Sequence, residues 1–198
     1  MKSTIAKNKN KNKLIEPETE TKITETETET ETEEQLKEHI KETYIEKVTN
    51  ITYNTTYTHI IEDFSFGNVP KSIIMDTYKD GRPFSHFIEP WLAINYPLIH
   101  ITGCKKYDHT DINDENIKYD QKTFTKKGGC NFMPSNMIGE GRKFNKEIFE
   151  EKAKQLIYII VSNVNFPEIK IKFVKGVDLI VDYPTGKIPS KDLVKFFD

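Results

Sequence analysis

The sequence is poor in the residues that build disulfide frameworks, zinc sites and membrane spans. Its two cysteines, Cys104 and Cys130, are too few for a disulfide framework and lack the CxxC spacing of a zinc site. No apolar run approaches the length of a signal peptide or of a membrane-spanning helix. These absences predict a soluble, intracellular protein of the cytoplasm or nucleus, with free thiols and no membrane partner.

Several enzyme classes are also without their sequence signatures. The chain contains no GxSxG and no HExxH, and its glycines match neither GxGxxG nor GxxxxGK[ST]. We therefore expect no esterase-type nucleophile, no zinc protease centre and no nucleotide cofactor.

Charge and low complexity set the N-terminal part of the chain apart. Residues 1–34 contain the blocks KNKNKNK and TETETETETEE and carry six lysines against nine glutamates, a net charge of −3. Since the whole chain carries −2, the remainder carries +1. Residues 1–34 contain too few apolar residues to offset the entropy that the chain would lose on ordering, and we therefore predict that they form a disordered tail. We predict a single domain at 35–198. Alternatively, the acidic segment is an arm that covers a basic groove or binds a partner.

Hydrophobic periodicity predicts helices and strands in a mixed order within the domain. We predict an amphipathic helix at 33–48, a strand at 51–61, one or two helices at 76–97 interrupted near Pro90, and strands at 98–108 and 118–125. The first of these two strands has Ile99 and Ile101 facing inward, and the two pair as an antiparallel hairpin. A helix at 146–155, a buried strand at 156–164, one or two strands at 168–183 and a final helical turn follow. This order predicts a mixed α/β or α+β fold around a sheet of about five strands flanked by helices.

One predicted strand places an acid and a lysine side by side. In KYDQKTFT, residues 118–125, period-2 alternation puts Asp120 and Lys122 on the same face. Asp108 ends the preceding predicted strand. Two carboxylates on neighbouring strands can seat Mg²⁺, and a lysine beside them can orient a water or stabilise charge on phosphorus. The alternative is a charge pair that protects a sheet edge from aggregation.

These residues resemble the PD-(D/E)XK nuclease superfamily over roughly residues 84–163. In that family an acid ends one strand, D/E-x-K occupies the next, and a helix and another strand follow, which matches Asp108, Asp120 and Lys122 here. The resemblance implies a restriction-endonuclease-like core and Mg²⁺-dependent hydrolysis of DNA phosphodiesters, as in restriction enzymes. It also implies a homodimer, because many such enzymes cut two strands as dimers.

The identity of some metal ligands stays open in the sequence. Asp111 or Asp114 could replace Asp108 as the first acid. Some family members add an acid from a preceding helix, for which Glu89 is the best placed. A second D/E-x-K occurs at 168–170, but it follows the buried strand and ranks lower.

A basic, glycine-rich connection at 126–145 follows the strand. From Lys122 to Lys143 the net charge is +4. Glycines permit close backbone approach, and lysine, arginine, hydroxyl and amide groups can contact phosphates, so we predict a clamp on the DNA backbone. The candidate contacts are Lys126, Lys127, Ser135, Asn136, Arg142 and Lys143. The alternative is a flexible surface loop.

A second function remains open beside the nuclease. The chain could be a catalytically inactive nucleic-acid-binding or structural protein associated with a virion. Its Lys/Asn/Ile-rich composition indicates an AT-rich genome, which would suit a large virus or its host.

Overall fold

The computed structural model describes residues 47–61, 67–103 and 106–198. These residues belong to one compact unit, Ile45–Asp198. The predicted tail at 1–34 and nearly all of the predicted helix at 33–48 lie outside the described residues. None of the helices that are described combines the length and the apolar character needed to cross a membrane.

A six-stranded mixed sheet organises the fold, in the order β1–β7–β6–β4–β3–β2. Its strands are β1 (Thr56–Ile60), β2 (Leu98–His100), β3 (His109–Asp111), β4 (Lys118–Phe124), β6 (Ile157–Ser162) and β7 (Glu168–Lys175). Neighbouring strands are antiparallel except β4 and β6, which are parallel. A separate two-stranded sheet pairs β5 (Cys130–Asn131) with β8 (Lys187–Ile188). The mixed α/β fold is confirmed, with six strands in the main sheet.

Five α-helices accompany the strands in the described residues. They are α1 (Lys71–Tyr78), α2 (Gly81–Asn95), α3 (Lys146–Lys154), α4 (Gly176–Asp182) and α5 (Leu193–Phe197), with 3₁₀ turns at Ser135–Met137 and Ser190–Asp192. Side-chain caps fix where the two longest begin. Asp80 accepts a hydrogen bond from the Arg82 amide at 2.9 Å, and Asn145 accepts one from the Ile148 amide at 3.1 Å.

The sheet carries a hydrophobic cluster on each face. On one face, Tyr119 of β4 packs in a cluster with Phe84, Ile88 and Leu92 of α2. On the other face, Phe124 of β4 lies in a cluster with residues of α3, α4 and α5. We call these the α2 face and the α3 face. β6 contributes buried residues to both clusters, which explains its uninterrupted apolar run and confirms the buried strand.

The predicted interruption of the helix near Pro90 is wrong. Helix α2 runs from Gly81 to Asn95 with Pro90 inside it. The proline ring lies on the exposed side of the helix, and the carbonyl that loses its amide partner belongs to His86, which is also exposed. Water can satisfy that carbonyl, so the break in the hydrogen-bond ladder does not end the helix.

The predicted hairpin between 98–108 and 118–125 also differs from the structure. β2 ends at His100, and the short strand β3 lies between β2 and β4, pairing with both. At the start of β2 the side chains face opposite to the prediction, because Leu98 is buried and Ile99 is exposed. Asp108 therefore precedes β3 instead of ending the strand that begins at Leu98.

The C-terminal part contains a confirmed strand and a helix where a second strand was an option. Ile169, Ile171 and Phe173 of β7 are buried in alternation, as predicted. The following segment is α4, because Leu179 and Tyr183 recur at helical spacing and pack on the α3 face. The predicted helical turn at the end of the chain is confirmed as α5.

Candidate active site

The acid and the lysine of β4 face α3, where they form a tight ion pair. Lys122 Nζ donates a hydrogen bond to Asp120 Oδ1 at 2.6 Å and another to the Gln121 carbonyl at 3.0 Å. The Asp120 side chain is only 7% exposed, whereas the Lys122 side chain is 23% exposed. The pair is thus largely shielded from water, with its lysine at the more open end.

Asp108, the residue before β3, lies beside the same ion pair. Its amide donates to the Tyr119 carbonyl at 2.9 Å, and its Oδ2 accepts a hydrogen bond from the Gln121 amide at 2.7 Å. Asp108 therefore extends the pairing of β3 with β4 by one residue, ahead of the first residue of β3. Its negative charge acts on both members of the ion pair and raises both of their pKa values. The structure brings Asp108, Asp120 and Lys122 together.

Burial and charge set the protonation of the three groups. Burial raises the pKa of Asp120 above its usual value, the Lys122 charge opposes this, and the Asp108 charge adds to it. For Lys122, burial alone would lower the pKa, but the charge and hydrogen bond of Asp120 outweigh it and raise the pKa. Lys122 is therefore held as a cation, suited to stabilising negative charge and unsuited to accepting a proton.

The two other candidates for the first acid serve local turns. Asp111 accepts hydrogen bonds from the Asn113 amide at 2.8 Å and from the Tyr119 hydroxyl at 3.1 Å, which places its carboxylate on the α2 face. Asp114 accepts from the Asn116 amide at 2.9 Å in an exposed turn. Of the three acids, Asp108 is the one whose charge acts on the ion pair.

Glu89 is not brought to the pair. It lies on α2, which packs on the opposite face of the sheet, and its Oε2 is 3.4 Å from His100 Nε2. Its backbone carbonyl accepts a hydrogen bond from His109 Nε2 at 2.8 Å. The second D/E-x-K, at 168–170, lies in β7 and is separated from β4 by β6.

The basic connection at 126–145 is divided into two parts. Thr125 and Gly129 exchange two backbone hydrogen bonds of 2.9 and 3.0 Å, which close a tight turn that carries Lys126 and Lys127. Gly129 has φ +67° and its missing Cβ would lie 2.1 Å from the Ile188 carbonyl oxygen, so the turn requires glycine. Through Gly129 and β5 the beginning of the connection is thus tied to β8.

The beginning of the second part, residues 132–137, packs over the α3 face, and residues 139–145 are exposed. Phe132 and Met137 are buried there in the same cluster as Phe124. The Arg142 guanidinium donates to the backbone carbonyls of Ser135 and Ile138, the latter at 2.9 Å. Arg142 therefore holds this segment in shape, and Ser135, Asn136 and Lys143 are left exposed on it.

Two residues beside Asp120 were not anticipated as members of the site. Tyr158 lies opposite Asp120 in the parallel pairing of β4 with β6, and its buried hydroxyl has no hydrogen-bond partner in the described part of the chain. The thiol of Cys130 is buried, and burial raises its pKa to about 12. Tyr158 had a sequence signal, because it is the one residue with a polar group inside the apolar run LIYIIV. Cys104 lies outside the described residues.

Two carboxylate oxygens beside Lys122 could hold a divalent metal ion. Within residues 47–61, 67–103 and 106–198, Asp108 Oδ1 and Asp120 Oδ2 make no hydrogen bond. No cluster of three or more His, Cys, Asp or Glu side chains in that part of the chain is arranged to hold a metal. Mg²⁺ is commonly bound through one or two carboxylates, with waters and substrate phosphates completing its shell. The donor set is sufficient for that mode of binding.

Comparison of the chain with known protein families, with curated proteins and with solved structures finds no match. The likeness to the PD-(D/E)XK nucleases therefore depends on the three residues and the order of elements alone.

Proposed function

We propose that this protein is a divalent-metal-dependent endonuclease that hydrolyses DNA phosphodiester bonds. The observation that carries the proposal is the meeting of Asp108, Asp120 and Lys122 beside β4. The order of elements supports it in part, since β4, helix α3 and the parallel strand β6 follow one another as the family resemblance implies. It departs from the resemblance in that β3 is an additional strand and Asp108 precedes it instead of ending a strand.

Each group in the site has a separate role. Asp108 and Asp120 would hold the metal through their free oxygens. A bound Mg²⁺ supplies polarisation of the phosphoryl oxygens and a lowered pKa for its bound water. Lys122, kept charged by its two acidic neighbours, stabilises the negative charge that develops around phosphorus.

The basic connection supports a nucleic-acid substrate. The beginning of its second part lies on the same face of the sheet as Asp120, and the second part exposes Ser135, Asn136 and Lys143. Hydroxyl, amide and ammonium groups are the usual contacts to a phosphate backbone. Arg142 contributes by shaping the segment, because its guanidinium is engaged with backbone carbonyls.

A second function is favoured by one feature of the same residues. The hydrogen bond of 2.6 Å between Lys122 and Asp120, with the acid almost fully buried, is also what a purely structural ion pair would show. The protein would then be a catalytically inactive nucleic-acid-binding or virion-associated structural protein.

Nicking of supercoiled plasmid distinguishes the two functions. We expect the full-length protein to convert plasmid to the open-circular form in Mg²⁺, to stop on addition of EDTA and to resume in excess Mn²⁺. A Lys122→Met variant purified in parallel controls for contaminating nucleases and should be inactive. Retardation of the plasmid on a gel without nicking in any divalent metal would instead support the structural function.

A further inference from the structure

A groove lies at the carboxyl ends of the two parallel strands. Its volume is about 520 Å³, and residues 79–81, 125–127 and 163–164 line it. A Cβ added to Gly81 would lie 3.1 Å from the Thr125 methyl group and 3.7 Å from the Thr123 methyl group, so both threonines face α2. The Gly81 side of the groove is therefore on the α2 face, whereas Val164 on its other side packs against the cluster of the α3 face. Ligands of sheets with parallel strands commonly bind at these strand ends.

The charged groups around the groove favour an anion. Lys126 and Lys127 are exposed on the tight turn and make no ion pair with any described residue. Lys79 is 52% exposed, and its ammonium is 2.9 Å from the Asp76 carboxylate. The N-terminus of the 15-residue helix α2 adds partial positive charge at the same edge, although the Asp80 cap partly offsets it.

A buried side-chain amide in the wall of the groove has an oxygen without a hydrogen-bond donor in the described residues. Asn163 is 1% exposed, and its Nδ2 donates to the Tyr78 carbonyl at 2.8 Å. That bond fixes the amide orientation, and Oδ1 has no partner among the described residues. A buried acceptor normally has a hydrogen-bond partner. A nucleotide carries base N–H and sugar O–H groups that can donate to this oxygen, in addition to a phosphate that the lysines can hold.

We propose that this groove binds one nucleotide unit. The phosphate is held by Lys126, Lys127 and Lys79, and Val164 supplies an apolar wall. Asn163 Oδ1 is buried in the unliganded protein, so a base or sugar donor bonds to it once neighbouring side chains move aside. The volume is within the range of sites for molecules of this size. Because none of Asp108, Asp120 and Lys122 lines the groove, the bound phosphate is not the one that is hydrolysed. The proposal does not depend on nuclease activity.

Binding measurements on a full-length Lys122→Met protein in EDTA test the groove without cleavage. Isothermal titration uses deoxyadenosine monophosphate, with deoxyadenosine and inorganic phosphate as partial ligands. We expect the monophosphate to bind at least tenfold more tightly than either partial ligand. The double substitution Lys126→Gln with Lys127→Gln should weaken it at least tenfold, whereas Lys154→Gln with Lys195→Gln, which removes two exposed lysines elsewhere, should not weaken it.

The outcomes separate the site from its alternatives. Absence of monophosphate binding, or equal weakening by both pairs of substitutions, overturns the proposal. A four-nucleotide strand that binds more tightly than the monophosphate assigns the groove to DNA, and equal binding assigns it to a free nucleotide. Both of these results support a nucleotide site, even if plasmid nicking is absent.

Discussion

Replacing Asp120 by Asn is expected to reduce Mg²⁺-dependent nicking by about a hundredfold or more, and Asp108→Asn is expected to have a similar effect. Each substitution removes one of the two carboxylates that face Lys122 and leaves the size of the side chain unchanged. An amide oxygen carries no net charge, so it is a poorer ligand for a hard divalent cation. Initial rates of plasmid nicking over a range of Mg²⁺ concentrations measure the loss.

Two substitutions of the same chemistry serve as controls. Asp111→Asn and Asp114→Asn also remove one negative charge, but these carboxylates bind local amides and a tyrosine hydroxyl. Both variants should retain nicking. Loss of activity in Asp111→Asn with retention in Asp108→Asn would show that the first acid is assigned wrongly. Thermal unfolding of all four variants establishes that each one folds.

Replacing Gly176 by Ala should destabilise the protein by about 3 kcal/mol or more. Gly176 begins α4 and donates its amide to the Leu156 carbonyl at 2.9 Å, so the start of α4 lies directly against the end of α3. An added Cβ would lie 1.9 Å from the Ala153 carbonyl oxygen, a backbone atom that cannot rotate away. The helices must separate to admit the methyl group, which would disturb the cluster on the α3 face.

Gly141→Ala is the matched control for this stability prediction. Gly141 has φ +75° and open space around it, so the substitution costs only backbone strain, about 1–2 kcal/mol. Chemical denaturation gives the free energy of unfolding of both variants. Equal stability of Gly176→Ala and the unsubstituted protein would contradict the close contact between α3 and α4.

Period-2 alternation was sufficient to predict that Asp120 and Lys122 lie on one face of β4. Asp120 and Lys122 share a face with Phe124, as the sequence implied, because a strand of seven residues leaves little freedom in the facing of its side chains. The apolar run of β6 similarly predicted a buried strand. Both features depend on local sequence alone, which is why they could be predicted.

Features that depend on short elements or on distant segments could not be predicted. β3 has three residues, His109 to Asp111, and no apolar alternation, so nothing in the sequence separated it from the neighbouring turns. Its position decides that Asp111 faces α2 and that Asp108 meets the ion pair. The placement of Glu89 depends on which face α2 covers, and this is a property of the whole sheet.

The groove at the ends of β4 and β6 illustrates the same limit. Its walls come from three segments that are far apart in sequence. The parallel pairing of β4 with β6 brings two of them together, and the packing of α2 on the sheet brings the third. Asn163 has an ordinary appearance in the sequence. Its unpaired oxygen becomes visible only when the bond from its amide to the Tyr78 carbonyl is known.

A crystal grown with Mn²⁺ and measured at a wavelength where manganese scatters anomalously tests the central claim most directly. The account predicts an anomalous peak within bonding distance of both Asp108 and Asp120, with metal–oxygen distances of about 2.1–2.2 Å. It predicts no such peak in crystals of Asp120→Asn. Absence of a peak at these carboxylates, or a peak only at Glu89 and His100, would contradict it.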